Sequence, residues 1–393
     1  MLSYEEALGR ILADVTALPS ERVALASAAG RILAEPVAAR FDQPPFDASA
    51  MDGYAIRWDD MPGPWRVVGE SGAGAPYDGK IERGEAVRIF TGAPLPEGAD
   101  TVLVQEDTER VDADLHLTGD GPPKCTAHVR SRGNDFTAAE QLIEAGTRLS
   151  AAALGLAAAA GHGDVAVHRR PRVALISNGD ELVPPGRTPG PAQIVASSGP
   201  MLSAQLAAAG AEVEDLGIIP DDEGALTAAL ERAKAFDLVL TVGGASVGAH
   251  DLVKPALEAA GAEIDFWRIA IRPGKPLIHG RLGSAAFIGL PGNPVSAYIC
   301  TQLFAMPLLF AVQGHQTTQS IVEARLTEAL PSNDRRRDHL RAVMRGGEVA
   351  PLPTQDSAQL AVLARANALI IREPYAEPAK AGDPVRVLPL DRT

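Results

Sequence analysis

Four carboxylates, Glu181, Asp221, Asp222 and Asp251, follow directly on apolar runs in the stretches "SNGDEL", "GIIPDD" and "TVGGASVGAHD". Oxygen donors on neighbouring loops suit Mg²⁺, which takes one or two carboxylates and fills its shell with phosphate oxygens and water. The third stretch adds Gly243, Gly244 and Gly248, where a backbone without side chains can wrap a phosphate with N–H groups, and Ser246, which can add a hydroxyl. The opposite charge lies in "WRIAIRPGKPLIHG". Arg268 and Arg272 share one face of a strand, and the turn at Pro273 and Gly274 aims Lys275 the same way. An arginine fork and a lysine point charge suit a tetrahedral oxyanion. Plainer readings stand beside these: Asp222 and Asp251 as helix caps, the arginines as a solvated edge strand, the glycines as an ordinary turn. Neither the GKS/GKT of a P-loop nor the dinucleotide GxGxxG is present. Cys125 and Cys300 are the only cysteines and the eight histidines are scattered, which argues against a cysteine zinc site or a disulfide framework.

Such loops need a scaffold that brings them to one rim. From Arg170 onward strand-like and helix-like runs alternate, through "PRVALISNGDEL", "SSGPMLSAQLAAAG", "AEVEDLGIIPDD", "EGALTAALERAKA" and "FDLVLTVGG" to "AAFIGLPGNP" and a helix from about Val295. That rhythm predicts a doubly wound parallel α/β domain, whose ligands bind at the carboxyl ends of the strands. Before it, Phe41 to about Arg132 reads as short β runs between Gly and Pro turns, the grammar of a small β domain. This insertion separates two helical segments. The first 40 residues read as two short amphipathic helices, one opened by a Ser3–Glu6 capping box and one ending before Pro36; "TRLSAAALGLAAAAG" returns to helix. After about Gln316 short β runs resume and predict a closing β domain.

With 36 Lys and Arg against 50 Asp and Glu, the net charge of −14 opposes general attraction to nucleic acid or anionic lipid. The most apolar stretch, "AYICTQLFAMPLLFAV", contains Gln302 and Pro307 and is shorter than the roughly 20 residues of a membrane span, so a buried helix is expected. The start lacks the pattern of a secretory signal, and a cytoplasmic chain is expected.

Assembled in order, "PPFDASAMDGYA", "IFTGAPLPEGADTVLVQE", "RSRGNDF", "ISNGDEL", "TVGGASVGAHD", "IRPGKP" and "LPGNPVS" resemble the molybdopterin molybdenumtransferases, the MoeA family, which is also similar to the C-terminal domain of gephyrin. The resemblance spans nearly the whole chain. It implies an N-terminal helical, elongated domain (1–44 plus 135–168), an inserted β domain (45–134), a molybdopterin-binding-like α/β domain (169–316) and a C-terminal β barrel (317–393). It also implies a homodimer with its cleft between subunits, and a Mg²⁺-dependent reaction of adenylylated molybdopterin with molybdate that releases AMP. Carried over residue by residue, Glu181, Asp221 and Asp251 would handle metal and phosphate, while Asp52, Thr91 and Asp135 would form a cross-subunit wall. Molybdate would meet Arg272, Lys275, Pro276 and Ser296, with Arg341 and Ser357 contributed by the last domain. The family often has Lys where this chain has Arg268 and Arg272, which keeps the charge and changes the geometry. The α/β domain alone also resembles the molybdopterin adenylyltransferases and the CinA-type proteins, a reading that the extra β domains disfavour. Adenylyl transfer from ATP and a gephyrin-like scaffold are therefore the rival readings, and other cofactor-biosynthesis proteins are conceivable partners.

Overall fold

The computed structural model describes residues 1–244, 252–315 and 320–390; Ser246, Gly248 and Asp251 lie outside the described residues. The chain forms two compact units, one of Met1–Glu21, Gly30–Ala34 and Val167–Thr393, the other of Arg22–Ala29 and Glu35–Ala166.

Helix α1 (Tyr4–Leu12) begins as its sequence dictates: Glu6 N donates to Ser3 Oγ at 3.1 Å and Ser3 N donates back to Glu6 Oε2 at 2.8 Å. The second expected N-terminal helix does not form. Ser20–Ala24 is a strand and Leu25–Ser27 a single tight turn. Arg22 is ion-paired to Asp164 and Leu25 N donates to Gly163 O at 3.1 Å, and local helix propensity yields to these contacts.

The second unit is built on a six-stranded mixed sheet. Its strands are β1 (Gly53–Ile56), β2 (Trp65–Ser71), β3 (Glu85–Ile89), β4 (Thr101–Val104), β5 (Thr108–Val111) and β6 (Asp114–Leu117), in the order β4-β1-β3-β2-β6-β5. Alternation divides β1 between two cores: Tyr54 and Ile56 pack with Trp65, Leu103 and Leu115, and Ala55 packs with Ile89 and Val102. Helix α2 (Ala151–Ala159), capped by Ser150, is the helix expected there.

The first unit carries the α/β layer. Strands β7 (Arg172–Asn178), β8 (Glu212–Ile219) and β9 (Leu238–Val242) alternate with α3 (Ser198–Ala208), α4 (Glu223–Ala233) and α5 (Val253–Ala259). Then come β10 (Glu263–Arg268), the two-residue β11 (Ile271–Arg272), β12 (Pro276–Leu282) and β13 (Ala285–Leu290). The sheet order is β8-β7-β9-β13-β12-β10. The first four strands are parallel, as predicted, and doubly wound. Leu175 faces a core shared with α1 and α3, while Ala174 and Ile176 face α4 and α5. Burial on both faces explains the apolar runs of β7, β9 and β13, whereas the edge strand β8 carries exposed Glu212, Glu214 and Asp215. The sequence reading lacked β12, which pairs antiparallel with both β13 and β10. Two reversals restore β10 to the direction of the parallel set, so Arg268, opposite Pro276, still ends at the carboxyl rim.

From β13 the chain enters α6 (Pro294–Cys300), a π turn at Thr301–Ala305 and α7 (Met306–Val312). Pro307 has no N–H for the regular ladder, which accounts for the wider turn just before it. The resulting helix, Pro294–Val312, is longer than the apolar run suggested: its 19 residues are enough by length and composition to cross a membrane. Its apolar window is 67% buried, and Val295, Ile299, Phe304 and Leu309 belong to the main core, as expected of a buried helix.

Strands β14 (Val322–Leu326), β15 (Arg337–Arg345), β16 (Glu348–Pro351), β17 (Ala368–Arg372) and β18 (Pro384–Pro389) follow in the order β15-β16-β14-β18-β17. A further β15–β17 pairing closes them into the predicted barrel. The short β11 pairs with β15, Arg272 beside Asp338, and joins the α/β layer to the barrel.

Candidate functional site

A cavity of about 860 Å³ opens at the carboxyl rim of the parallel strands. The loops after β7, β8, β9 and β13 all reach it, through Glu181, Asp221, Gly243 and Asn293 among others, and Pro276 at the start of β12 completes that side. Gly243 is required where it stands. Its φ is +100°, and a Cβ there would lie 2.4 Å from the Asn178 carbonyl oxygen, so the loop after β9 lies directly on the loop after β7.

The acids are organised by hydrogen bonds between loops. Asn178 Nδ2 donates to Asp221 Oδ1 at 2.6 Å, and Asp221 N donates to Asp180 Oδ1 at 3.0 Å. Glu181 is exposed at the wall, close enough to Gly179 that a Cβ on that glycine would meet Glu181 Oε2 at 2.3 Å. Asp222 resolves to a cap: its Oδ1 accepts from Ala225 N at 2.7 Å at the start of α4. Asn178 and Asp180 were not singled out from sequence; their position inside "SNGDEL", between two acids' loops, was the available signal.

The donor set can be tested against a magnesium ion. Among the described residues no three His, Cys, Asp or Glu side chains form a ready cage. Glu181 and Asp221 nevertheless both line the cavity, and Asn178 Oδ1, buried beside them, has no hydrogen-bond partner. Two carboxylates and an orphaned carbonyl oxygen are hard donors of the kind Mg²⁺ shares with ligand phosphates, so the residues fit.

The cations are less available than their charge suggested. Arg272 Nε donates to Asp338 Oδ1 at 2.8 Å, a second guanidinium nitrogen binds Asp338 Oδ2, and Asp334 lies 3.7 Å away. Asp338 holds the Arg272 pKa above its usual value; burial raises that of Asp338 itself, against the pull of Arg272. Arg341 is 1% exposed and donates to the Asp356 and Thr354 carbonyls at 2.8 and 3.3 Å. Arg268 and Lys275 are exposed, and Ser296 is buried in the first turn of α6. The barrel reaches the rim through Ser357, whose Oγ accepts from Asn293 Nδ2 at 3.0 Å and whose carbonyl accepts from Val295 N at 3.2 Å. Asn293 thus bonds the barrel and makes no side-chain cap for its own helix.

Asp52, Thr91 and Asp135 belong to the other unit. Asp52 Oδ1 accepts from both the backbone N and the Oγ1 of Thr91 at 2.8 Å. These two bonds, backbone first, with a smaller contribution from the charge of Arg88, hold the Asp52 pKa below the ordinary carboxylate value. Arg88, missed in the sequence reading, lies over the Tyr54 and Phe90 rings at 5.2 and 4.8 Å and donates to Gly53 O at 3.0 Å. Asp135 is exposed, with its backbone N bonded to Gln43 O at 2.9 Å.

Comparison with known proteins covers the chain end to end. Residues 2–161 match the model of the MoeA N-terminal region (domain I and II), 174–311 a probable molybdopterin binding domain, and 323–390 the MoeA C-terminal region (domain IV). A molybdopterin molybdenumtransferase of Haemophilus influenzae is 34% identical, covering 100% of this chain and 99% of the relative. One from Synechococcus elongatus is 35% identical, over 98% and 99%. The crystal structure of a molybdopterin biosynthesis MoeA protein from Pyrococcus horikosii superposes with a TM-score of 0.85 at 32% identity, covering 100% of both chains. In sequence from first domain to last, and in fold, the chain belongs to the molybdopterin molybdenumtransferase (MoeA) family.

Proposed function

We propose that this protein inserts molybdenum into the molybdenum cofactor, taking molybdate and adenylylated molybdopterin and releasing AMP by hydrolysis, the water oxygen bonding to phosphorus as the phosphoanhydride P–O bond breaks and the other phosphate leaves. The observation that carries the reading is the rim cavity itself, where the Glu181 and Asp221 carboxylates and the bare Gly243 backbone face one hollow in a chain of this family. Glu181 and Asp221 are assigned to Mg²⁺, with Asp251 as a third acid from outside the described residues. When bound, the ion would neutralise charge on the phosphate oxygens. The protein's own share is positional. Asn178 and Asp180 orient Asp221, Gly243 allows close approach of the nucleotide phosphate, and Lys275 with Pro276 and Ser296 takes the oxyanion side. Asp52, Thr91 and Asp135 are assigned to the wall contributed across a homodimer of four-domain subunits, with the boundaries given above, working in the cytoplasm.

The test supplies purified protein with adenylylated molybdopterin, Mg²⁺ and molybdate. AMP release stimulated by molybdate and dependent on Mg²⁺ is the expected result. Consumption of ATP with molybdopterin would make the chain an adenylyltransferase, and absence of both reactions would leave a binding protein.

A further inference from the structure

The barrel segment between β16 and Leu360 forms part of the cavity wall through Ala358 and Leu360, yet residues 352–359 have no regular secondary structure. One side chain does most to hold it. Gln355 Oε1 accepts from the backbone N and the Nε of Arg341 at 2.9 and 3.3 Å; Gln355 Nε2 donates to the carbonyls of Arg341 and Leu352, both at 3.0 Å. The amide thereby acts as an extra peptide group added to the edge of β15. The Arg341 guanidinium then donates to the carbonyls on either side of Gln355, those of Thr354 and Asp356. Side chain and main chain of two residues lock one another. Two residues further on, Ser357 makes both of its bonds to the α6 turn, through Asn293 and Val295. Accepting from Asn293 leaves the Ser357 hydroxyl proton free to donate to an oxyanion.

We propose that Gln355 is a positioning residue for the oxyanion side of the cavity: clamped to Arg341, it fixes the loop that presents Ser357 beside Asn293, and Arg341 acts through that loop without touching the ligand. The burial of Arg341 supports this, because a guanidinium spent on three loop acceptors has little left for a ligand. The proposal rests on the molybdate-dependent reading above.

Its test is the molybdate dependence of AMP release in Gln355→Leu, alone and combined with Ser357→Ala. The expected result is a KM for molybdate raised about tenfold with kcat changed less than about threefold, and a double variant little worse than Ser357→Ala alone. A merely structural glutamine would reduce the folded fraction, lowering kcat with KM unchanged; that outcome, or losses that multiply in the double variant, would overturn the proposal. If Gln355→Leu does not fold, Gln355→Glu keeps the acceptor for Arg341, removes both donated bonds, and should raise KM in the same direction. Amide hydrogen exchange supplies a readout independent of activity. Faster exchange confined to residues 354–360 supports the clamp, and unchanged exchange there refutes it. Should the unaltered protein show no response to molybdate, the functional reading fails, and the exchange result still decides whether Gln355 orders the loop.

Discussion

The acidic and basic sides of the rim make unequal use of their charges. Asp221 is held by Asn178 and Asp180 and still faces the cavity, because a carboxylate oxygen accepts more than one bond. Arg272 and Arg341 are held just as firmly, but a guanidinium N–H donates only once, and their donors are largely committed to Asp338 and to the 354–356 loop. Position at a rim therefore marks an acid as a ligand more readily than it marks an arginine. Of the cations proposed for the oxyanion, exposed Arg268 and Lys275 are less committed than Arg272, which serves first to pin the barrel.

The comparison breaks most sharply at Asp221. Asp221→Ala should lower AMP release by about 100-fold or more with the fold retained, since the side chain is exposed and makes only inter-loop bonds; an unaffected rate would remove the acidic side from the chemistry. Next, Lys275→Ala should raise the molybdate KM by about tenfold, whereas Asp338→Asn should mainly lower thermal stability, by about 1 kcal/mol, as expected for a pair whose carboxylate is buried but whose guanidinium is half exposed. If Asp338→Asn altered KM and left stability alone, Arg272 would return to the pocket. A third expectation concerns His339, fully buried beside Tyr4 with neither ring nitrogen bonded, its pKa pushed down by burial to about 3. The unfolded chain takes up that proton near pH 6.5 and the native state does not. Stability should fall as pH drops below about 6.5, by at most about 1.4 kcal/mol per unit from this group. His339→Phe should flatten that slope in denaturant titrations. The smallest effect belongs to Thr91→Val, which keeps the backbone donor to Asp52 and removes the hydroxyl. The Asp52 carboxyl should titrate modestly higher by carbon-13 NMR, and no movement would mean the backbone bond alone sets it.

Much of this was legible in the residues, for definable reasons. The Ser3–Glu6 box and the Asp222 cap are local, so sequence spacing alone specifies them. The rim followed from strand–helix alternation, which places every strand-end loop on one side. The antiparallel β12 was hidden because an apolar run declares burial and not direction. The pairing of Arg272 with Asp338 and the clamp between Arg341 and Gln355 join residues that no local period connects. The strand at Ser20–Ala24 reads as helix until its tertiary contacts are known.

Strand β11, only Ile271 and Arg272, has a consequence out of proportion to its length. It lies in the excursion between β10 and β12, and its ladder to β15 together with the arginine's grip on Asp338 seats the barrel against the α/β layer, so the barrel cannot swing aside without breaking both. Because Leu369, Ile371 and Leu388 of the barrel belong to the same core as Leu175 and Leu240, the α/β layer and barrel should melt in one transition on heating or in denaturant, and Arg272→Ala should lower its midpoint without splitting it.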